Sequence, residues 1–158
     1  MESALLSLEI RDKKGMAALA ARIAPLLKTA DVVTLVGGLG AGKTTFARSL
    51  INILSPELQE VPSPTFTLVQ VYDLPSFSIW HFDLYRLKEK KADILELGWD
   101  DARRFGVSLV EWPDRLGSLL PRDRLEISID FNKDSENSRM FTLTAYGSWR
   151  ERLERIKQ

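Results

Sequence analysis

The residues best suited to chemistry form one glycine-rich segment that ends in a lysine and two threonines, Gly37-Gly38-Leu39-Gly40-Ala41-Gly42-Lys43-Thr44-Thr45. It fits the pattern G-x-x-x-x-G-K-[ST]. Glycines let successive backbone N–H groups turn toward an anion. In such loops the lysine reaches the β- and γ-phosphates and the next hydroxyl binds Mg²⁺. The alternative is a glycine turn that precedes Lys-Thr by chance, but the flanking pattern described below favours a nucleotide site.

The acid at the end of Gly106-Val107-Ser108-Leu109-Val110-Glu111 is a second candidate. An apolar strand that ends in an acid resembles the Walker B arrangement, in which the carboxylate binds Mg²⁺ directly or through water. The alternative is an acid at an exposed strand end, which is common. The upstream phosphate loop favours a functional Glu111, because ligands of open α/β sheets collect at the carboxyl edge of the strands.

A proline-flanked segment, Val61-Pro62-Ser63-Pro64-Thr65-Phe66-Thr67, is the third candidate. Its two prolines hold the chain extended and exclude a helix. In nucleotide switches, a threonine in such a segment caps Mg²⁺ and senses the γ-phosphate. From the pattern alone, a plain connection with exposed hydroxyls is slightly favoured over a switch at Thr65.

Alternating side chains from Phe77 to Tyr85 predict a strand with two distinct faces. One face carries Trp80, Phe82 and Leu84, and the other carries His81, Asp83 and Tyr85. His81 is the only histidine, and it is a base, a ligand or a polar residue on a solvated face, the last being the most common case. Asp83 on the same face favours an oriented imidazole.

The elements around these residues must position them. The run Val32 to Val36 predicts a buried parallel strand before the loop, and the spacing from Phe46 to Leu54 predicts a helix after it. Elsewhere the pattern predicts helices at 15–27, 88–97 and 149–156, with Pro25 at a kink or in the last turn of the first helix. It predicts strands at 4–10, 66–72, 77–85, 106–111, 124–131 and 139–146. The two strands within 66–85 are expected to form a hairpin, and residues 132–138 are expected to form a polar loop.

Composition bounds the remaining possibilities. The chain has 158 residues, is 44% hydrophobic and is expected to form one domain over residues 1–158. It has no cysteine, which excludes disulfides and thiolate sites. The formal net charge of +0 argues against nucleic-acid binding through overall electrostatics. The start of the chain has no signal-peptide pattern and no apolar run spans a bilayer, so we expect a soluble cytoplasmic protein.

Four motifs in this order resemble the TsaE family, formerly called YjeE. They are the phosphate loop, Ser63-Pro64-Thr65-Phe66-Thr67, His81-Phe82-Asp83-Leu84-Tyr85-Arg86 and Val110-Glu111-Trp112-Pro113. Together they cover about residues 32 to 121. Gly38 departs from the family pattern, which usually has a polar or acidic residue there.

The resemblance implies an α/β fold of the P-loop NTPase type, with three layers and a mixed parallel and antiparallel sheet. It implies ATP or ADP and Mg²⁺ as ligands. By motif, Lys43, Thr44 and Thr45 hold phosphates and metal, and Thr65 is a switch-like sensor. Asp83 then lies near the metal or the attacking water, and Glu111 is the Walker B-like acid. The resemblance also marks His81, Tyr85, Arg86 and Trp112 as family positions without assigned steps.

The function implied by the resemblance is Mg²⁺-dependent ATP hydrolysis that supports the TsaD–TsaB complex in forming threonylcarbamoyladenosine next to the anticodon of tRNA. The tRNA is then an indirect partner, and no membrane is involved. We expect slow hydrolysis by the chain alone, changed by its partner. Two alternatives remain open, namely a small-molecule kinase and a nucleotide-gated binding module that needs no turnover.

Overall fold

The computed structural model describes residues 3–64, 67–87 and 91–157. Its strands are β1 Ala4–Ile10, β2 Val32–Val36, β3 Val69–Asp73, β4 Ser78–Asp83, β5 Gly106–Glu111, β6 Arg124–Asn132 and β7 Ser135–Tyr146. Its α-helices are α1 Lys13–Ile23, α2 Lys43–Leu54, α3 Lys91–Glu96, α4 Trp99–Phe105 and α5 Trp149–Lys157. Short 3₁₀ segments cover Ala24–Leu26 and Pro113–Leu119.

All seven strands join one sheet in the order β1-β7-β6-β2-β5-β4-β3. The central strands β6, β2, β5 and β4 pair in parallel, whereas β3 and the β7–β1 pair are antiparallel to their neighbours. This confirms the predicted mixed sheet and the hairpin of β3 and β4. A parallel centre places the carboxyl ends of β2, β5 and β4 at one edge, where α/β proteins bind their ligands.

Helices cover both faces of the sheet. The larger core lies between the sheet and α1, α2 and α5, and it includes Phe46, Phe141 and Trp149. The smaller core lies on the opposite face with α3, α4 and the second 3₁₀ segment, and it includes Phe82 and Trp99. Coverage on both faces explains why β2 and β5 are almost uninterruptedly apolar. The result is the predicted three-layer α/β arrangement.

Several predicted boundaries differ from the structure. The first helix ends at Ile23, and Pro25 lies in the 3₁₀ turn that follows, because proline cannot continue the α-helical hydrogen bonds. The helix predicted over 88–97 is described only from Lys91, since residues 88–90 lie outside the described ranges, and it ends at Glu96. A separate helix, α4, follows Gly98 and was not predicted.

The polar segment 132–138 is a tight hairpin rather than the predicted loop. Strand β6 extends to Asn132 and β7 already begins at Ser135. The Asn132 side chain accepts a hydrogen bond from the backbone N–H of Asp134, which stabilises the turn. Within the described ranges, no helix is long and apolar enough to cross a membrane.

Candidate functional site

The three central parallel strands bring the predicted loop and both predicted acids to one edge. Glu111 is the last residue of β5 and is paired in register with Leu35, near the end of β2. Asp83 is the last residue of β4 and is paired in register with Glu111. Both carboxylates are buried. The phosphate loop begins immediately after Val36, so all three features share the ligand-binding edge of the sheet.

Backbone geometry explains why glycine occupies two positions of the loop. A Cβ on Gly37 would lie 2.5 Å from the carbonyl oxygen of Ile129 on the neighbouring strand, so no larger residue fits there. Gly42 precedes α2 with φ of 114°, a left-handed conformation that glycine adopts readily. The first turn of α2 has no side-chain cap in the structure, and helix N-terminal N–H groups of this kind bind anions.

Lys43 is buried beside its own loop. Its Nζ donates hydrogen bonds to the carbonyl oxygens of Gly37 and Gly38. The same Nζ lies 3.8 Å from the centre of the Trp112 ring, within range of a cation–π interaction. Trp112 holds this position with φ of 60°, which is unusual for a bulky residue and is typical of functional sites.

The charge of Lys43 is subject to two opposing effects. Burial lowers the pKa of its ammonium group below the usual 10.5, because desolvation disfavours the charged form. The carboxylates of Glu111, Asp83 and Asp114 oppose this shift in pKa. A bound polyphosphate would add further negative charge and favour the protonated lysine.

A hydrogen-bonded chain joins the loop to the strand ends. Thr44 Oγ1 donates to the Glu111 carboxylate, at 3.1 Å from Oε1 and 3.0 Å from Oε2. His81 Nε2 lies 2.7 Å from Glu111 Oε2 on the other side. His81 is fully buried, so of the alternatives left open by the sequence, a polar residue on a solvated face does not apply. The reason is that β4 lies inside the sheet, where helices cover both faces.

Asp83 and the aromatic residues complete the rim. Asp83 Oδ1 accepts a hydrogen bond from the backbone N–H of Tyr85 at 3.0 Å, which orients the carboxylate as the strand ends. The Tyr85 ring packs against Trp112 with centroids 4.7 Å apart. Tyr85 is half exposed, so its outer side faces solvent at the edge of the site.

These groups surround an open cavity of about 350 Å³. The predicted residues that line it are Leu39, Gly40, Ala41, Gly42, Lys43, Thr44, Thr45, Asp83, Tyr85, Glu111 and Trp112. Ser63 also lines it and was not among the predicted site residues, although its hydroxyl lies in the proline-flanked segment, two residues before Thr65.

Other predicted residues are placed differently. Gly38 does not line this cavity, and its carbonyl oxygen accepts a hydrogen bond from Lys43 Nζ. Arg86 is exposed and does not line the cavity. Thr65 lies outside the described residues, so its predicted sensor role stays a prediction.

The oxygen donors present fit Mg²⁺ held together with phosphates. Thr44 and Glu111 supply a hydroxyl and a carboxylate in direct contact, beside the helix N-terminus expected to bind phosphate. Among the described residues, no group of three or more histidine, aspartate or glutamate side chains could hold a metal ion. A Mg²⁺ that also binds substrate phosphates needs only one or two protein ligands, and this pair of oxygen donors fits such an ion.

Comparisons with known proteins give a consistent relationship. The family model described as "Threonylcarbamoyl adenosine biosynthesis protein TsaE" matches residues 10–141. A Rickettsia felis protein named tRNA threonylcarbamoyladenosine biosynthesis protein TsaE is 38% identical over 130 residues, 82% of this chain and 74% of that protein. The Bacillus subtilis protein of the same name is 39% identical over 137 residues, 86% of this chain and 83% of that protein.

The fold is also similar to a solved structure. The crystal structure of YdiB from Bacillus subtilis superposes with a TM-score of 0.82 and is 31% identical in sequence. The similarity covers 99% of this chain and 97% of YdiB. The similarity therefore extends over both helical layers and both sides of the sheet.

Proposed function

The chain belongs to the TsaE family, and on that premise we propose that it binds ATP with Mg²⁺ and hydrolyses it in support of tRNA threonylcarbamoyladenosine formation. The observation that carries the proposal is the contact between Thr44 and Glu111 beside the buried Lys43. It brings an ammonium group, a hydroxyl and a carboxylate to one edge of the sheet, and this combination supports the proposal because phosphoryl transfer uses such groups to hold phosphates and Mg²⁺.

In this proposal the loop binds the polyphosphate through its backbone N–H groups and the first turn of α2. Lys43 exchanges its contacts with the carbonyls of Gly37 and Gly38 for contacts with phosphate oxygens. Thr44 and Glu111 hold Mg²⁺, directly or through water. When bound, Mg²⁺ supplies charge neutralisation between the β- and γ-phosphates.

Asp83 is the residue we propose for orienting the attacking water. It is the last residue of β4, paired in register with Glu111, and its carboxylate lines the same cavity. Its Oδ1 is fixed by the N–H of Tyr85, which leaves the orientation of the carboxylate well defined. A positioned acceptor at this place raises the effective concentration of a reactive water.

The site of the chain alone is open and lacks an arginine among the described residues that line it. Leu39 and Tyr85 at the rim are exposed, and Leu39 is 66% accessible at the tip of the loop. We therefore propose that a partner covers this rim and increases the slow hydrolysis of the free chain, since completion of a site in trans accelerates phosphoryl transfer by orders of magnitude. The TsaD–TsaB complex is the proposed partner.

The test measures ATP turnover with and without TsaD–TsaB, together with tRNA modification in the reconstituted system. Lys43→Ala should abolish both activities, whereas Lys28→Ala, an exposed lysine before β2 at the opposite edge of the sheet, should leave them unchanged. Full tRNA modification with Lys43→Ala would remove nucleotide use from the proposal.

A second variant separates turnover from binding. Glu111→Gln keeps the size of the side chain and one acceptor oxygen, but it removes the charge and replaces the second oxygen with an NH₂ donor. We expect it to retain ATP binding and lose hydrolysis. If it supports tRNA modification as well as the unchanged chain does, the protein acts as a nucleotide-gated binding module and hydrolysis is not required. Appearance of a phosphorylated metabolite during turnover would instead indicate a kinase.

A further inference from the structure

His81 occupies an unusual place for the single histidine of the chain. It lies on β4, two residues before Asp83, and no part of it is exposed. Its Nε2 contacts Glu111 Oε2 at 2.7 Å. Thr44 Oγ1 bridges both oxygens of the same carboxylate. In the hydrogen bonds described, Glu111 Oε2 contacts both residues, whereas Oε1 contacts Thr44.

The surroundings determine which nitrogen of His81 carries the proton. Nδ1 is buried and has no hydrogen-bond partner among the described residues. A proton on Nδ1 would be a buried donor without an acceptor, which is costly. A bare Nε2 would place its lone pair against the Glu111 carboxylate. Of the two neutral tautomers, the one with the proton on Nε2 avoids both penalties and makes a strong hydrogen bond to a charged acceptor.

A purely space-filling role does not account for this choice of residue. The other buried residues of β4 are the apolar Ile79 and Phe82 and the terminal Asp83. An apolar side chain at position 81 would fill the space and would leave no unpaired Nδ1. Since the contact to Glu111 is the one described hydrogen bond of the ring, that contact is what the histidine adds.

We propose that His81 is a positioning residue for Glu111. Its Nε2–H holds Oε2, so the carboxylate keeps its orientation when the Thr44 hydroxyl turns from Glu111 toward a cation. Oε1 then becomes available to Mg²⁺ or to a water bound to it. This inference rests on the proposed function for its metal. It assigns a role to His81, for which the family resemblance implies no specific role. Hydrogen-bonded partners of metal-ligating carboxylates typically act in this way.

The first experiment needs neither nucleotide nor metal. Because the chain has one histidine, ¹⁵N-histidine labelling gives one imidazole, and its two nitrogen shifts report where the proton lies. We expect a proton on Nε2, facing the Glu111 carboxylate. An Nε2 that carries no proton would contradict the proposal.

The second experiment compares two substitutions at the same position by calorimetry with ADP over a range of Mg²⁺ concentrations. His81→Leu removes the donor, whereas His81→Gln replaces it with an amide N–H. We expect the leucine variant to need about 10- to 100-fold more Mg²⁺ for tight nucleotide binding. Its affinity for ADP without metal should not change, and the glutamine variant should recover most of the loss.

Ser108→Ala is the matched control, because Ser108 is also fully buried on the adjacent strand but its hydroxyl makes no hydrogen bond to Glu111 or Thr44 in the described structure. It should bind Mg²⁺ and ADP normally. Equal behaviour of the leucine and glutamine variants would overturn the positioning role. Absence of Mg²⁺-dependent nucleotide binding in the unchanged chain would instead overturn the proposed function, while the ¹⁵N measurement would still decide the tautomer.

Discussion

Asp83 and Glu111 are register partners on the parallel strands β4 and β5, and each is the final residue of its strand. Two buried carboxylates therefore lie side by side at the sheet edge. Lys43 is the cation next to them, and both carboxylates stabilise its charged form. The site is thus a compact arrangement of opposite charges in the free chain, and added phosphates would redistribute these contacts.

The lowered pKa of Lys43 predicts a pH dependence of ATP binding. In the free chain, burial disfavours the ammonium form, so the pKa of Lys43 lies below its usual value of 10.5. Bound phosphates favour the ammonium form, so binding takes up a proton once the pH exceeds the pKa of the free chain. ATP affinity should then fall by about tenfold per pH unit in that range. Calorimetry without metal, in buffers of different ionisation enthalpy, measures both the affinity and the proton uptake.

Lys43→Arg provides the control for this pH effect, because arginine keeps its charge throughout the accessible range. Its overall affinity is expected to be lower, yet its alkaline slope and proton uptake should disappear. The same slope in both chains would assign the pH effect to another group.

The two adjacent glycines at the start of the loop predict opposite outcomes on substitution. Gly37→Ala places a Cβ 2.5 Å from the backbone oxygen of Ile129, and a backbone atom cannot move away easily. Gly38→Ala meets no atom within 4 Å. We expect Gly37→Ala to lower the free energy of unfolding by about 1–3 kcal/mol and Gly38→Ala to change it little. Urea denaturation of the three chains measures the difference, and equal stabilities would show that the loop does not pack on β6 as described.

Trp112 should report nucleotide binding. Its ring contacts the Lys43 ammonium in the free chain. In the proposed function, Lys43 moves from there to the phosphates. Tryptophan fluorescence should therefore change on titration with ATP. The chain has four tryptophans, so Trp112→Phe must remove the signal, whereas Trp80→Phe, outside the cavity, must keep it. A signal that survives Trp112→Phe would place the change elsewhere.

The fold was predictable where one local signal was decisive. The apolar run from Val32 to Val36 and the glycine loop after it define a strand, a turn and a helix without further information. Helix α4 was missed because its residues Trp99 and Ala102 bury only one short face, which a seven-residue pattern cannot distinguish from a loop. The tight turn after Asn132 was missed because polar residues on exposed hairpin strands resemble a loop in sequence.

The residues of the candidate site could be predicted where a sequence motif indicates their chemical role. Lys43, Thr44, Asp83, Glu111 and Trp112 were predicted and line one cavity. The burial of His81 was not predictable, because alternation along a strand separates two faces but does not tell which of them a helix covers. The contact of the His81 ring with Glu111 depends on the pairing of β4 with β5, which is a tertiary property.

The most direct test of the account is calorimetric titration of the nucleotide-free chain with ATP, with and without Mg²⁺, compared with Thr44→Val. The unchanged chain should bind ATP in both conditions and more tightly with Mg²⁺. Thr44→Val keeps the shape of the side chain but lacks the hydroxyl, so it should retain the metal-free affinity and lose the gain from Mg²⁺. No heat of association for ATP or ADP in the presence of Mg²⁺ would contradict the account.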